Sequence, residues 1–321
     1  MPRVAAIDCG TNSIRLLVAE LTHRHDGTVD LRDLHREMRV VRLGQGVDAT
    51  GRLAPEALER TRKALADYTI AARRKGVERV RMVATSATRD ASNRDEFFAM
   101  TREVLGVEAE VISGDEEARL SFTGAVGEQD PDDGPFLVVD VGGGSTELVL
   151  GDWDGQRASV TSAKSVDIGC VRITERALKS DPPTGEEIAA ARAFATEVLD
   201  RAFEVVDVAK AKTWIGVAGT VTTLSAVAQE LPAYDSERTH LSRLSFSDIA
   251  RMSDELLAAD HATRAANPVI HPGRVDVIGG GALIVRVLAE QLAERGGPAD
   301  LVVSEHDILD GIALSLAAPS A

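Results

Sequence analysis

The sequence predicts an α/β protein made of two related lobes that share a cleft. Three observations lead there. Apolar runs of strand length alternate along the chain with longer segments of helical pattern, as in α/β units. The 321 residues suit two domains better than one. The figure D-x-G-x-x-S occurs twice, each time between apolar runs. Val4–Ile7 leads into Asp8-Cys9-Gly10-Thr11-Asn12-Ser13, and Ile14–Ala19 follows. Phe136–Val139 leads into Asp140-Val141-Gly142-Gly143-Gly144-Ser145-Thr146-Glu147, and Leu148–Leu150 follows. One copy reads most simply as a glycine-rich hairpin. Two copies with the same acid, glycine and serine point to paired lobes. Each would offer backbone N–H groups to phosphate oxygens and a carboxylate to a cation.

Composition narrows the function. Hydrophobic residues make up 44% and charged residues 27%, an ordinary soluble balance. Aromatics are only 3%, so Ala, Val, Leu and Ile must build the core. The net charge of −15 argues against broad capture of nucleic acid. A polyanionic substrate would have to be held by local loops, a few arginines and a metal. Cys9 and Cys170 do not form a disulfide framework. Cys9 reads as a small turn residue before it reads as a catalytic thiol. No signal peptide or membrane-length apolar run is present, so a cytoplasmic enzyme without a membrane partner is expected.

In chain order, Val4–Asp8 and Ile14–Leu21 form the first hairpin, and Val29–Leu43 carries further strand signal. The glycines between Leu43 and Gly51 read as loop. Pro55 to Gly76 is a helix with Pro at its first turn and Gly at its end. Val80–Ala84 is a buried strand ending in Thr85-Ser86-Ala87-Thr88-Arg89, where α/β ligand sites tend to lie. Arg89 could clamp a phosphate or simply be solvated. Asn93–Leu105 reads as a helix opened by an Asn93/Glu96 capping box, and Val107–Ile112 as a strand. Ser113 and Glu116 have capping-box spacing, which leaves Glu117, turned by about 100° on a helix, to face a cleft as a base for water. On spacing alone the three acids Asp115–Glu117 read first as partners of the helix dipole.

A polar connection spans Glu128–Gly134 before the second loop. Gly151–Val166 is expected to supply two more strands. Asp167–Arg172 turns into a helix to about Leu178. Thr184 and Glu187 box the start of a long helix to about Val208. Lys212–Gly216 is a strand, and Gly216-Val-Ala-Gly219-Thr220 leads from it into a helix, a phosphate-type turn without the Lys of a Walker loop. Leu231–Leu244 reads as loop and 246–265 as helical. Gly279–Gly281 precede a helix to about Arg295, for close packing or ligand approach. Leu301–Val303 is the last strand and Asp307–Ala317 the last helix.

At this point the residues resemble a known family. The duplicated lobes are similar to the actin, heat-shock ATPase and sugar-kinase superfamily, with its ribonuclease H-like lobes. Ala6–Ser13, Ala84–Arg89, Val111–Ala118, Asp140–Glu147 and Gly216–Thr223 together resemble the Ppx/GppA phosphatases in their short two-domain form. The resemblance implies an N-terminal lobe over 1–128 and a C-terminal lobe over 129–303, with a C-terminal helix (304–321) packing back on the first. It implies a phosphoric anhydride hydrolase that releases terminal phosphate from inorganic polyphosphate. The alternatives are a guanosine pentaphosphate 5′-phosphohydrolase and, from another class, a nucleotide-binding regulator or kinase. The implied cofactor is magnesium, with manganese as the alternative, and the implied assembly a homodimer.

By the same resemblance, Glu117 is the water-activating base, Glu147 and Arg89 complete the catalytic set, and Asp8, Asp140 and Glu147 hold the metal. Gly10, Thr11, Asn12, Ser13, Gly142, Gly143, Gly144, Ser145 and Thr146 cradle phosphates. One departure stands out. Where many relatives carry G-L-R-E-G, this chain has Asp307-Ile308-Leu309-Asp310-Gly311. The missing Arg implies one phosphate contact fewer. With no further C-terminal domain expected, a preference for short polyphosphate follows.

Overall fold

The computed structural model describes residues 2–25 and 27–317; the last residues of the expected C-terminal helix, 318–321, lie outside the described residues. The chain forms two compact units. One comprises the residues up to Gly127 together with those from Ile308 onward, and the other is Glu128–Asp307.

The first unit holds β1 (Arg3–Cys9), β2 (Ser13–His23), β3 (Val29–Val40), β4 (Arg79–Ala84) and β5 (Glu110–Val111), in the order β3-β2-β1-β4-β5. β1–β2 and β2–β3 pair antiparallel, while β1–β4 and β4–β5 are parallel. Its helices are α1 (Val47–Thr50), α2 (Pro55–Arg74), α3 (Ser86–Asp90), α4 (Arg94–Leu105) and α5 (Gly114–Val126). Ala5 and Ile7 of β1 join one core with Leu65, Tyr68 and Phe97 from α2 and α4. Val4 and Ala6 join another with the C-terminal helix Ile308–Ser315. A strand buried on both faces explains why β1 is apolar without alternation.

The second unit holds β6 (Phe136–Val141), β7 (Thr146–Trp153), β8 (Ala158–Val166), β9 (Thr213–Val217), β10 (Arg243–Ser245) and β11 (Asp300–Val303), in the order β10-β11-β9-β6-β7-β8. Omitting the antiparallel edge strand β10, the order β8-β7-β6-β9-β11 and every strand sense repeat those of the first sheet. The fold is therefore α/β with two similarly wound sheets. Helices α6 (Cys170–Ala177), α7 (Gly185–Phe203), α8 (Ala218–Ala228), α9 (Ser236–Thr239), α10 (Phe246–Ala258), α11 (His261–Ala266) and α12 (Ile278–Glu294) surround the second sheet; the C-terminal helix is α13.

Several local expectations are corrected. Gly151–Val166 yields one new strand, because β7 runs on through Gly151 to Trp153. β5 is two residues long. Residues 231–244 contain α9 and the start of β10, and 47–50 form a helical turn. Asn93 does not cap α4; its amide binds both the N–H and the C=O of Leu53 at 2.8 and 3.1 Å. A long-range pair of backbone bonds wins over a local cap. The Thr184/Glu187 capping box forms, but α7 stops at Phe203. Gly280 and Gly281 lie inside α12. A Cβ there would come within 2.5 Å of Thr174 Oγ1 and 2.6 Å of Thr220 Cγ2, so these glycines allow helices to pack closely.

Candidate active site

The two loops share one construction. In a trans peptide the C=O and the next N–H point in opposite directions. In the first unit the Thr11 carbonyl accepts from Gly44 N (2.8 Å), and the Asn12 carbonyl accepts from Val41 and Arg42 N (3.0 and 2.8 Å). The Asn12 and Ser13 N–H groups are thereby turned away from that segment. Gly44 is required for this contact, since a Cβ would lie 2.3 Å from Thr11 Cγ2.

In the second unit the N-terminus of α6 plays the same part. Gly142 O accepts from Cys170 N at 2.9 Å, Gly143 O from Val171 and Arg172 N at 2.9 and 3.2 Å, and Gly144 O from Arg172 Nε at 2.8 Å. Three consecutive carbonyls face the scaffold. The N–H groups of Gly143, Gly144 and Ser145 face the other way, an array suited to phosphate oxygens. Gly169 lets α6 approach: a Cβ there would meet Gly143 C at 2.4 Å. Thr146 is buried and its hydroxyl donates to Ile168 O at 2.6 Å, so its side chain anchors the loop.

The acids differ between the copies, and the cause is register. Seven residues after each Asp comes the residue paired with it across the hairpin: Arg15 opposite Asp8, and Glu147 opposite Asp140. Paired residues lie on the same face. Arg15 Nε and Nη2 both reach Asp8 Oδ2, at 3.0 and 2.7 Å, so the first unit neutralises its acid with its own cation. The second sets two buried carboxylates side by side, with Ser165 Oγ donating to Glu147 Oε1 at 2.7 Å. Adjacent hard oxygen donors of one sign fit a divalent cation.

Glu117 and Arg89 lie at the same end of the sheet as the first loop, beyond the carboxyl ends of β1, β4 and β5. Glu117, in the first turn of α5, is buried. Arg89 Nη1 donates to Glu117 Oε2 and to Ile112 O, each at 3.0 Å, and its remaining donors suit an anion. Ser113 Oγ accepts from Glu116 N, but the Glu116 carboxylate goes to Arg81 Nη2 at 2.6 Å, so the capping box is half formed. The two acids are separated as expected, by a different partner. Thr11 and Thr88 carry buried hydroxyls with no hydrogen-bond partner among the described residues, the kind of group a bound ligand would satisfy.

Both thiols are buried and lack the environment of a nucleophile. Burial, and then the charge of Asp8, push Cys9 far above an ordinary thiol, and burial likewise raises Cys170. Leu309 stands where the missing Arg of G-L-R-E-G would be and is 1% exposed in the core around α13. Leu309 serves packing at this position and offers no donor to a phosphate. Asp310 beside it binds Arg36 through two bonds of 2.5 and 3.2 Å.

Sequence reasoning missed Arg15, Ser165, Gly169, Arg172 and Arg274. Equal spacing from each Asp could have exposed Arg15. The others act across elements and have no local signal. Arg274 lies on the start of α8, where a Cβ at Gly219 would fall 1.4 Å from its Nη1. It brings a cation to a helix start beside β6, since β9 pairs with β6.

The model of the Ppx/GppA phosphatase family matches residues 17–316. The chain belongs to the Ppx/GppA phosphatase family. Among curated Ppx/GppA relatives, it is 56% identical to "Exopolyphosphatase 2" of Mycobacterium tuberculosis over 99% of both chains. Among solved structures it is similar to an exopolyphosphatase-like protein, with 46% identity, a TM-score of 0.91 and 98% of each chain covered. An Aquifex aeolicus Ppx/GppA family member is 32% identical with a TM-score of 0.77, over 98% of this chain and 97% of that one. Among the described residues no helix is long and apolar enough to cross a membrane.

Proposed function

We infer that the chain is an exopolyphosphatase, a phosphoric anhydride hydrolase that releases terminal phosphate from inorganic polyphosphate. The observation that carries the reading is the second loop: three backbone N–H groups turned outward beside the paired acids Asp140 and Glu147. Full-length likeness to a named exopolyphosphatase supports polyphosphate over guanosine pentaphosphate as the substrate.

In this reading the N–H groups of Gly143, Gly144 and Ser145, with those of Thr11, Asn12 and Ser13, hold phosphoryl oxygens, while the Gly142 and Gly10 N–H groups close the two turns on Ser145 O and Ser13 O at 3.1 and 3.0 Å. Asp140 and Glu147 are the cation ligands. Asp8, already paired with Arg15, is a supporting carboxylate. A cation held there, magnesium with manganese as the alternative, would supply charge neutralisation for the phosphoryl oxygens. Arg89 fixes the Glu117 carboxylate and offers its other donors to phosphate. Glu117 accepts the proton of the attacking water, and Arg274 adds a positive charge for the chain beyond the terminal group.

A net charge of −15 repels a long polyanion, which favours short chains. Two buried, unbridged cysteines suit the reducing cytoplasm. A homodimer is proposed on the family resemblance.

The test is phosphate release with magnesium from short polyphosphate and from guanosine pentaphosphate, for wild type and Glu117→Gln. Polyphosphate is expected to be hydrolysed, and the folded variant to be slower by roughly 100-fold or more. Release from the nucleotide alone would replace the substrate. A Glu117→Gln variant of unchanged rate would remove the base assignment.

A further inference from the structure

The second unit contains a group of side chains that this chemistry does not use. Glu128, His240 and His306 each offer a ligand-type atom, and all three lie within 4.8 Å of one another. His240 Nε2 is 2.7 Å from Glu128 Oε2, and His306 Nε2 is 3.6 Å from Glu128 Oε1. The two rings meet edge to face at 83°, with centroids 5.0 Å apart, so they do not stack. We propose that Glu128, His240 and His306 form a binding site for one divalent transition-metal cation of the zinc type, separate from the Asp140/Glu147 pair.

The donor set carries the choice of cation. Two imidazoles and one carboxylate, with water as a fourth ligand, match zinc and its neighbours. Magnesium prefers oxygen donors and dehydrates reluctantly, so it belongs with Asp140 and Glu147. Metal–ligand bonds of about 2.0–2.1 Å in a tetrahedron require ligand atoms roughly 3.4 Å apart, and the two separations, 2.7 Å to one oxygen of Glu128 and 3.6 Å to the other, bracket that value. Small side-chain movements bring the ligand atoms to that spacing, and the one backbone change is at the Glu305 turn.

The surroundings add negative charge and order. Glu305 is held by Tyr234 Oη at 2.5 Å and by the Thr239 hydroxyl, next to both histidines in sequence or space. Its backbone N–H donates to His240 Nδ1 at 3.2 Å. Neutral His240 therefore carries its proton on Nε2, toward Glu128. A cation at Nε2 moves that proton to Nδ1, where it meets the Glu305 N–H, and the Glu305 turn must open. Glu128 is the first residue of the unit and His306 the last but one. The cation would thus join the segments by which the chain enters and leaves this unit, through a histidine next to β10.

The test uses the full chain, stripped with a chelator and dialysed against micromolar Zn2+ with excess Mg2+, followed by metal analysis. Wild type and Glu147→Gln are expected to retain one zinc per chain. His306→Gln and His240→Ala, each checked for fold by circular dichroism, should lose affinity by more than the roughly 10–100-fold that removing a supporting hydrogen bond costs. Co2+ in place of zinc should give the visible bands of a four-coordinate site, and hydrogen exchange at the Glu305 amide should quicken on binding. Wild type retaining no zinc, retention unchanged in both histidine variants, or loss through Glu147→Gln alone would each overturn the proposal. None of these outcomes bears on polyphosphate hydrolysis, so this inference and the proposed function fail separately.

Discussion

Asp8 and Asp140 occupy the same place in two copies of one hairpin, yet their chemistry differs because of a single residue across the strand pair. Arg15 makes Asp8 half of an ion pair; Glu147 makes Asp140 half of a cation-type donor set. Replacing Arg15 with Met deprives a 7%-exposed carboxylate of its guanidinium. The expected loss is about 2–3 kcal/mol in urea denaturation, below that of a fully buried pair because Arg15 keeps some solvent contact. His271 makes a second prediction. Burial, and then the charge of Arg274, hold its imidazole below the ordinary 6.5. The unfolded chain then binds the proton first, so this group's contribution to stability is present above pH 6.5 and shrinks as pH falls through that value toward the folded pKa. An NMR titration of His271 should show a midpoint under 6.5, and Arg274→Gln should move it up. An unchanged midpoint in the variant would separate Arg274 from His271.

Among the elements, α6 does the most for the site. Its first N–H groups and Arg172 Nε hold the carbonyls of Gly142, Gly143 and Gly144, so the orientation of the loop depends on how closely this helix can approach. Gly169→Ala would force a Cβ to within 2.4–2.6 Å of the Gly143–Gly144 peptide. We expect a loss of roughly 1–3 kcal/mol from overpacking, and a fall in kcat larger than the change in KM. Normal kinetics in that variant would mean that α6 does not set the loop. Caps give a contrast. Thr184→Ala removes a formed capping box and should cost about 1 kcal/mol. Asn93→Ala removes no cap, but detaches the Leu53 backbone from α4.

On the scale of the whole molecule, the first unit is closed by residues that come last. α13 covers Val4, Ala6, Leu17 and Ala19 with Ile308, Leu309, Ile312 and Ala313, and Arg36 binds Asp310. Burial lowers the Arg36 pKa, but Asp310 and then Asp33 more than reverse this, so the guanidinium stays charged. Gly311 allows the contact: a Cβ would lie 2.0 Å from Leu120 O on α5. Gly311→Ala should therefore destabilise the first unit by at least about 1–3 kcal/mol. Because α13 and β1 are far apart in sequence, closing that loop is slow work for the chain, and refolding should slow in the same variant. A thermal scan and a refolding trace indistinguishable from wild type would contradict the packing described.

The sequence by itself determined the alternation of strands and helices, the duplication and the candidate loops. These are local: an apolar run, a glycine turn and a hydroxyl at a fixed spacing act within a few residues of one another. It also separated Glu117 from Glu116, though through a capping box that only half forms. The tertiary structure decided what each candidate faces. Arg15 and Glu147 take their roles from strand register, Gly169 and Arg172 from a helix docking on a loop, and Leu309 from a core assembled across the length of the chain. Asn93 departs from its expected cap for the same reason, since its partner is 40 residues away in sequence. Contacts of that kind depend on which surfaces the folded backbone brings together, and no short window of sequence contains both halves of them.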